Sequence, residues 1–256
     1  MIFVTTSHKP AKEQVLKARR LAEELGLPYL SRKNHSNLLS FVGDDYCYVV
    51  ESDRIVVKYK NGSLFFHPST AKVRMRNIKK GLKDHLIECL GLKGDELILD
   101  TTFGLGAEAI LMAGFLREGR ILGLEASVPI YIVVREGLKT YRDKEEWINI
   151  AMSKIELLNC DFRTYLSSCP DGFFDIVYCD PMFENPVYES SSMNPLRPFA
   201  VYATVTGADV REMIRVARKK VVLKAHAKDS MFERIKVDMI TGSKKSQVLY
   251  GVINKK

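Results

Sequence analysis

Residues 97–109 combine a carboxylate with closely spaced glycines at the end of an apolar run. Asp100 follows Leu97–Leu99, which has the composition of a buried strand, and Gly104 and Gly106 come before the pattern turns helical. Glycine lets the backbone approach a ligand at positions where a β-carbon would collide with it. A strand, a glycine turn and a helix in this order predict a ligand site beyond the carboxyl end of the strand, where open α/β sheets bind ligands.

This loop agrees with two cofactor-binding patterns. Gly104-x-Gly106-x-x-Ala109 fits the dinucleotide fingerprint of an NAD-dependent oxidoreductase, with Glu125 about 20 residues farther on to bind ribose. The loop also fits the D-x-x-x-G-x-G pattern of class I S-adenosylmethionine-dependent methyltransferases. Asp100 favours the second pattern, because a carboxylate at the strand end repels a pyrophosphate and attracts an ammonium group.

Acidic residues also follow the next two predicted strands. Glu125, with Ala126 beside it, is placed to accept hydrogen bonds from the hydroxyls of a ribose. Asp161 is placed to accept from an adenine amine, with Phe162 packing on the ring; alternatively, Asp161 is the N-cap of the following helix. The residues expected to hold the cofactor are Asp100, Thr101, Thr102, Phe103, Gly104, Gly106, Glu125, Ala126, Asp161 and Phe162.

The most specific pattern is Asp180-Pro181-Met182-Phe183, which follows the apolar run 174–179. The Asp180 carboxylate and a loop carbonyl can accept both hydrogens of an amino group, which directs the nitrogen lone pair at a methyl donor. Pro181 fixes the turn, and Phe183 can stack on a base that has left its helix. These four residues are the candidate catalytic residues; the alternative is an ordinary Asp-Pro turn that closes a strand.

The surrounding elements predict an α/β fold. After Gly91, apolar strand patterns alternate with helical ones, which indicates a parallel sheet wrapped by helices. The chain then ends in two strand patterns, Ile235–Ile240 and Gln247–Ile253, which flank Thr241–Lys245 and predict an antiparallel hairpin. Residues 1–90 have the mixed pattern of a small α+β unit with a hairpin at Asn61-Gly62. We therefore predict a boundary near residue 90, with residues 1–90 as one region and 91–256 as the larger domain.

Two segments have an expected role in binding a substrate. A basic amphipathic helix is predicted over residues 72–90, with cations that either face solvent or contact phosphates: Lys72, Arg74, Arg76, Lys79 and Lys80. The long loop 184–206 is expected to be a substrate lid, the alternative being an insertion without a role.

Composition excludes several classes of protein. The 256 residues are 46% hydrophobic and 27% charged with a formal net charge of +8, as in a globular protein that can accept a polyanionic partner. The sequence has no apolar run of about 18 residues and no signal-peptide pattern, so we expect a cytoplasmic protein without a membrane span. The five cysteines form no C-x-x-C pair and the histidines have no ligand spacing, so we expect neither a disulfide framework nor a metal site.

Beyond these local patterns, residues 95–253 resemble a class I, Rossmann-like methyltransferase domain. The chain resembles more narrowly the ribosomal RNA guanine-N2 methyltransferases of the small subunit, the RsmJ family. The matching stretches are Ala18–Pro28, Asp100–Gly106, Glu125, Val177–Phe183 and Lys219–Lys224. The chain departs from the family pattern at Glu184, where another proline is usual, and at Ala225-His226, where Arg-Pro is usual; residues 184–206 also lack a lysine-rich stretch.

The resemblance implies a seven-stranded methyltransferase sheet with a small N-terminal part, S-adenosylmethionine as the donor, and a guanine amine of ribosomal RNA as the acceptor. Two alternatives stay open at the level of sequence. One is the NAD-dependent oxidoreductase, which leaves Asp100 and the Asp180 loop unexplained. The other is a basic RNA-binding protein that has a methyltransferase fold without catalysis.

Overall fold

The computed structural model describes residues 1–32, 42, 45–184, 194–243 and 246–255, and these residues form two compact units. The first contains the described residues of Met1–His67, Ile132–Arg142 and Ser191–Pro198. The second contains those of Pro68–Tyr131, Asp143–Ser190 and Phe199–Lys256. The segment between residue 68 and the predicted boundary near residue 90 therefore belongs to the second unit.

The first unit contains a four-stranded sheet and a helix. The strands are β1 (Phe3–Thr6), β2 (Tyr46–Val50), β3 (Ile55–Tyr59) and β4 (Gly62–Phe65), in the order β1-β2-β3-β4. β1 and β2 are parallel, and the other neighbours are antiparallel. Helix α1 (Lys12–Leu25) ends at Gly26, whose left-handed φ of 63° favours glycine. The predicted hairpin is present, with Tyr59 paired to Gly62 across the turn.

The second unit contains a seven-stranded sheet. Its strands are β5 (Leu97–Asp100), β6 (Arg120–Glu125), β7 (Ile155–Asn159), β8 (Phe174–Cys179), β9 (Ala217–His226), β10 (Met239–Ser243) and β11 (Val248–Asn254). Their order is β10-β11-β9-β8-β5-β6-β7. β5 to β9 pair in parallel, and β11 is antiparallel to both of its neighbours, which gives the predicted terminal hairpin. The order reverses at β5, next to β8, so ligands are expected at the carboxyl ends of these two strands.

Helices cover this sheet in two groups. The helices of the second unit are α2 (Ser69–Lys79), α3 (His85–Leu90), α4 (Ala107–Ala113), α6 (Glu146–Met152), α7 (Phe162–Ser168), α8 (Gly207–Val216) and α9 (Met231–Arg234). Helix α5 (Val128–Thr140) is divided between the units, because its residues from Ile132 onward belong to the first unit. In one group α4 packs against α2, α6 and β6, and in the other α8 packs against α7, β8 and β9. All residues of β8 are buried, as expected of a central parallel strand covered by helices.

Two predicted elements differ in the structure. The helix predicted over residues 72–90 is two helices, because Gly81 has a φ of 81° and Asp84 caps α3 by accepting from the Ile87 amide at 3.3 Å. The strand predicted at 235–240 begins only at Met239, since a short helix, α9, precedes it.

Part of the predicted lid lies outside the described residues. These are residues 185–193; in the remainder, Arg197–Phe199 form one 3₁₀ turn and Thr206 caps α8. Among the residues that the structure describes, no helix has the length and apolar character needed to cross a membrane.

Gly123 of β6 gives a direct test of the packing beneath the glycine loop. A β-carbon at this position would lie 2.0 Å from the ring of Phe103, which is 4% exposed. We expect Gly123→Ala to lower the free energy of unfolding by about 1–3 kcal/mol, because the ring has no free space to move into. Urea unfolding followed by circular dichroism measures the change.

The matched control for this substitution is Gly207→Ala at the start of α8. There the new β-carbon would lie 3.8 Å from the nearest atom, on Arg211, which is an ordinary contact. We expect this variant to be at least as stable as the wild type. Equal stability of Gly123→Ala and the wild type would contradict the described packing of Phe103.

Candidate active site

Four charged residues meet at one edge of the seven-stranded sheet. Asp100 ends β5, Glu125 ends β6 and Asp180 follows β8. Lys224 lies two residues before the end of β9. Because these strands are parallel neighbours, their carboxyl ends lie side by side. The predicted strand-end acids are therefore brought together, and β9 adds a cation.

Asp100 is a buried carboxylate that forms no ion pair with any described residue. It is 1% exposed, and its Oδ1 accepts a hydrogen bond from the Thr102 amide at 3.1 Å. Burial raises the pKa of Asp100 well above its usual range; the Thr102 amide opposes this, while nearby carboxylates reinforce it. Within the described chain no cation lies within ion-pair distance of Asp100, so an incoming ammonium group would remove an electrostatic cost.

The glycine loop is fixed by Glu125. Its carboxylate accepts from the Gly104 amide at 2.9 Å and from the Ser127 amide at 2.8 Å. Gly104 and Gly106 have φ angles of 56° and 76°, in the left-handed region. Each carboxylate oxygen retains a second lone pair, so Glu125 can hold the loop and still accept from a ligand.

Ser127 is a site residue that the sequence analysis missed. Its hydroxyl is buried and has no hydrogen-bond partner among the described residues, next to the strand end where a ribose was expected. A buried hydroxyl without a partner is costly, so this one is available to a polar ligand. Ser127 carries no sequence signal beyond its place two residues after Glu125.

Lys224 is shared between two carboxylates. Its Nζ lies 2.7 Å from Oδ2 of Asp180 and 3.1 Å from Oε1 of Glu108. Arg74 reaches the same Glu108 oxygen at 2.9 Å and forms a double hydrogen bond with Asp84, at 2.8 Å for each contact. These residues form a continuous, partly buried charge network, which we call the Lys224 network.

The network fixes the charge states around Asp180. Burial alone would lower the pKa of Lys224, but Asp180 and Glu108 raise it, so Lys224 stays protonated. Burial likewise opposes ionisation of Glu108, but Lys224 and Arg74 lower its pKa to about 2. Burial raises the pKa of Asp180, and Lys224 only partly offsets this because it is shared with Glu108.

Carboxylates outnumber cations in this region. The cations are Arg74 and Lys224, and the carboxylates are Asp84, Asp100, Glu108 and Asp180. A ligand that carries positive charge suits such a site, whereas a pyrophosphate does not. The expected donor, S-adenosylmethionine, is cationic at its ammonium and sulfonium groups, so the residues present fit it.

The Asp180 loop is tied to the glycine loop and to β9. The Asp180 amide donates to Oγ1 of Thr102 at 2.6 Å, and Oγ1 of Thr101 donates to the Tyr178 carbonyl at 3.0 Å. The Phe183 ring lies 5.8 Å from Nζ of Lys224 and 5.9 Å from the His226 ring. Asp180 and Phe183 are thus both positioned by β9.

A pocket of about 180 Å³ adjoins this loop. It is lined by Pro181, Met182, Phe183, Glu184, Tyr202, Ala203, Thr204, Val205, Asp229 and Met231. Glu184 closes one side by accepting from the Ser230 amide and hydroxyl, both at 2.8 Å, and by pairing with Arg234. The two departures from the family pattern, Glu184 and His226, therefore both hold this loop.

Three predicted cofactor residues lie at the margin of the site. Asp161 caps α7 by accepting from the Arg163 amide at 2.8 Å, as the alternative interpretation expected. Phe162 is 7% exposed and packs in the hydrophobic core, which leaves little ring surface for an adenine. Ala126 is exposed, and its carbonyl accepts from Asn159 at 3.3 Å.

Comparison with known proteins agrees with this geometry. The family model described as "Putative SAM-dependent methyltransferase" matches residues 33–250. The chain is 34% identical over 255 residues to the Bacillus subtilis (strain 168) protein named "Uncharacterized protein YpiP", covering 98% of both chains. It is 26% identical over 220 residues to ribosomal RNA small subunit methyltransferase J of Francisella philomiragia, covering 85% of this chain and 88% of that relative.

A solved structure shows the same fold. The SAM-dependent methyltransferase NGO1261 from Neisseria gonorrhoeae superposes with a TM-score of 0.65 at 13% identity, covering 100% of this chain and 96% of that one. The predicted Rossmann-like architecture is thereby confirmed.

Replacement of Asp100 tests whether its carboxylate, which has no described cationic partner, destabilises the ligand-free protein and binds the cofactor. We expect Asp100→Asn to raise the melting temperature of the ligand-free protein by about 2–4 °C and to weaken binding of S-adenosylhomocysteine about tenfold. The stability gain should shrink as the pH falls towards the ordinary carboxyl pKa, because Asp100 is then protonated in both folded and unfolded states. Differential scanning fluorimetry with and without the ligand measures both effects.

The matched control is Asp95→Asn, an exposed carboxylate just before β5. We expect it to change neither stability nor binding. A less stable Asp100→Asn variant with unchanged affinity would contradict the role given to Asp100.

Proposed function

The chain belongs to the SAM-dependent methyltransferase family, and from this premise we propose that it methylates an exocyclic base amine in RNA, specifically the guanine N2 of ribosomal RNA. The chain is an enzyme whose methyl donor is S-adenosylmethionine. The observation that carries the proposal is the partly buried Asp180 carboxylate, held by Lys224 beside the Asp100 loop at the carboxyl ends of adjacent strands. Family membership makes the NAD-dependent alternative untenable.

The residues that would hold the donor lie on β5 and β6. Asp100 would attract its ammonium group, the Gly104–Gly106 loop would let it approach closely, and Glu125 with Ser127 would accept and donate at the ribose. When bound, the cofactor supplies an electrophilic methyl group on a sulfonium. The protein supplies the position and charge of the acceptor.

Asp180 has one oxygen for the protein and one for the acceptor. Lys224 engages Oδ2, which leaves Oδ1 as an acceptor for an amine hydrogen. A hydrogen bond from the amine to a fixed carboxylate orients the nitrogen lone pair for in-line attack. Since Asp180 has a raised pKa, it can also take up the proton that the nitrogen loses after methylation.

Lys224 positions Asp180 and takes no part in proton transfer. Asp180 and Glu108 hold its pKa far above neutrality, so that it remains a cation throughout turnover. Its charge keeps Asp180 more ionised than burial alone would allow. Phe183, in contact with Lys224 and His226, would stack on the base.

An RNA acceptor is supported by two further features. One relative aligned over most of its length is named a ribosomal RNA small subunit methyltransferase J. The formal net charge is +8, which favours a polyanionic substrate. A catalytically inactive RNA-binding protein is the second candidate, but retention of Asp100, Glu125 and Asp180 in one buried site favours the enzyme.

Removal of the Asp180 carboxylate tests its role. We expect Asp180→Ala to lower kcat for RNA methylation by about 100-fold or more, because the amine loses its orienting acceptor, while affinity for S-adenosylhomocysteine is unchanged. A tritium-transfer assay and calorimetry measure the two quantities. As a control, Asp171→Ala removes a carboxylate that is 79% exposed and should leave kcat unchanged. Normal methylation by Asp180→Ala would show that the assigned role is wrong.

The pH dependence of kcat tests Lys224. Burial raises the pKa of Asp180 to about 6, so wild-type activity should fall as the pH drops through that value and the carboxylate is protonated. In Lys224→Met the Asp180 pKa rises further, so the fall of kcat on the acidic side of the profile, its acidic limb, should move to higher pH. Lys224→Arg should return the acidic limb part of the way to its wild-type position.

The control for this profile is Lys220→Met in the same strand. Lys220 donates to the carbonyls of Cys89 and Leu90 at 3.1 Å and touches no acid of the site. We expect this variant to lose stability without a shift of the acidic limb. An unshifted limb in Lys224→Met would contradict the coupling of Lys224 to Asp180.

A further inference from the structure

The first unit contains a groove of about 790 Å³ that the site described above does not use. We call it the N-terminal groove; its lining residues are His8, Lys9, Pro10, Lys12, Val15, Leu16, Arg19, Tyr29, Ser31 and Arg32. Lys12, Val15, Leu16 and Arg19 follow helical spacing, so they form one face of α1. The groove is thus built from the start of α1 and the segment after it.

The groove carries positive charge, and its described lining residues include no carboxylate. Lys9, Lys12, Arg19 and Arg32 are cations, and Lys9, Lys12 and Arg19 are exposed. Like charges that share a concave surface repel one another, and a polyanion relieves that repulsion.

Arg32 gives an independent indication of an anionic ligand. Its Nε and Nη1 are buried and have no hydrogen-bond partner among the described residues. Its Nη2 contacts Nε2 of His8 at 2.5 Å, and because arginine has only donors, the His8 nitrogen is the acceptor. Unpaired guanidinium donors in a groove match the oxygens of a phosphate, which arginine binds in a forked geometry.

The groove also has surfaces that suit sugars and bases. The Arg19 guanidinium lies over the Tyr29 ring, 5.4 Å from its centroid, and the neighbouring Leu16 side chain is 56% exposed. Cations interleaved with aromatic and apolar side chains are typical of single-stranded nucleic acid sites. An inorganic anion would need only the cations.

On the basic helix α2, by contrast, most of the predicted cations are already paired with carboxylates. Lys72 pairs with Asp143 at 2.9 Å, Arg76 pairs with Glu145 at 2.8 Å, and Arg74 belongs to the Lys224 network. Three of the five cations for which the sequence left a phosphate contact open therefore already have carboxylate partners.

We propose that the N-terminal groove binds the phosphate backbone of a single-stranded segment of the RNA substrate. This inference rests on the proposed function and adds a second RNA-contacting surface to it. The surface increases the affinity for RNA and takes no part in methyl transfer. Its loss should therefore raise KM for RNA and leave kcat unchanged.

The test is the double variant Lys12→Gln/Arg19→Gln, which removes two exposed charges from one face of α1 without loss of helix-forming residues. The probe is fluorescein-labelled, unmodified single-stranded RNA transcribed from a small-subunit ribosomal RNA gene. We expect Kd and KM for RNA to rise about tenfold. The slope of log Kd against log salt concentration should fall by about 1.4, because two phosphate contacts are lost and each contributes roughly 0.7 to the slope.

The matched control is Arg20→Gln/Lys79→Gln, which removes the same charge from exposed positions outside the groove. We expect its Kd and salt slope to equal those of the wild type. A third variant, Arg32→Gln alone, should also weaken RNA binding. Its circular dichroism spectrum checks that it is folded.

The outcomes separate the groove from the proposed function. If the wild type methylates RNA and the groove variant has an unchanged KM, the groove proposal is overturned and the proposed function stands. If both double variants weaken binding equally, net charge and not the groove is responsible. If the wild type neither binds nor methylates RNA, both proposals fail.

Discussion

The rest of the site depends on one lysine that serves two partly buried carboxylates. Lys224 lies 2.7 Å from Asp180 and 3.1 Å from Glu108, and Arg74 supports Glu108 from the other side. Without a cation, a carboxylate that is only 22% exposed, as Asp180 is, would be protonated more readily. Because the cation is shared, Asp180 is held in place yet remains a better proton acceptor than a fully paired carboxylate. The same shared charge leaves Asp100 uncompensated, and this suits a cationic donor.

The loops around this centre form one connected unit. Thr102 joins the glycine loop to Asp180, and Glu125 fixes the Gly104 amide. On the acceptor side, Glu184 holds Ser230 and Phe183 packs on His226, so the loop keeps its position although its sequence departs from the resembled family pattern. The donor side and the acceptor side of the site are thus linked through a few short hydrogen bonds, and a change in either loop will be felt in the other.

Sequence patterns predicted most of the elements that short segments encode, although the helix over residues 72–90 and the strand at 235–240 differ in the structure. The alternation of strands and helices, the terminal hairpin, the glycine loop and the Asp180 turn are encoded in short segments, and the structure contains each of them. The Lys224 network could not be predicted, because Lys224 and Glu108 are 116 residues apart and only the strand order brings them together. For the same reason Arg74 was expected to face either solvent or phosphates, whereas it is a partly buried counter-ion of Asp84 and Glu108. Ser127 was missed because a single buried serine has no sequence signature.

The central claim is that Asp180, held by Lys224, presents a base amine to the methyl donor. The most direct measurement is nucleoside analysis by mass spectrometry after the protein has been incubated with S-adenosylmethionine carrying a deuterated methyl group and unmodified small-subunit ribosomal RNA. The account predicts deuterated N2-methylguanosine with the wild-type protein and none with Asp180→Ala. Label on a ribose, on a ring carbon or on protein alone would contradict it, since none of these acceptors needs an amine-orienting carboxylate.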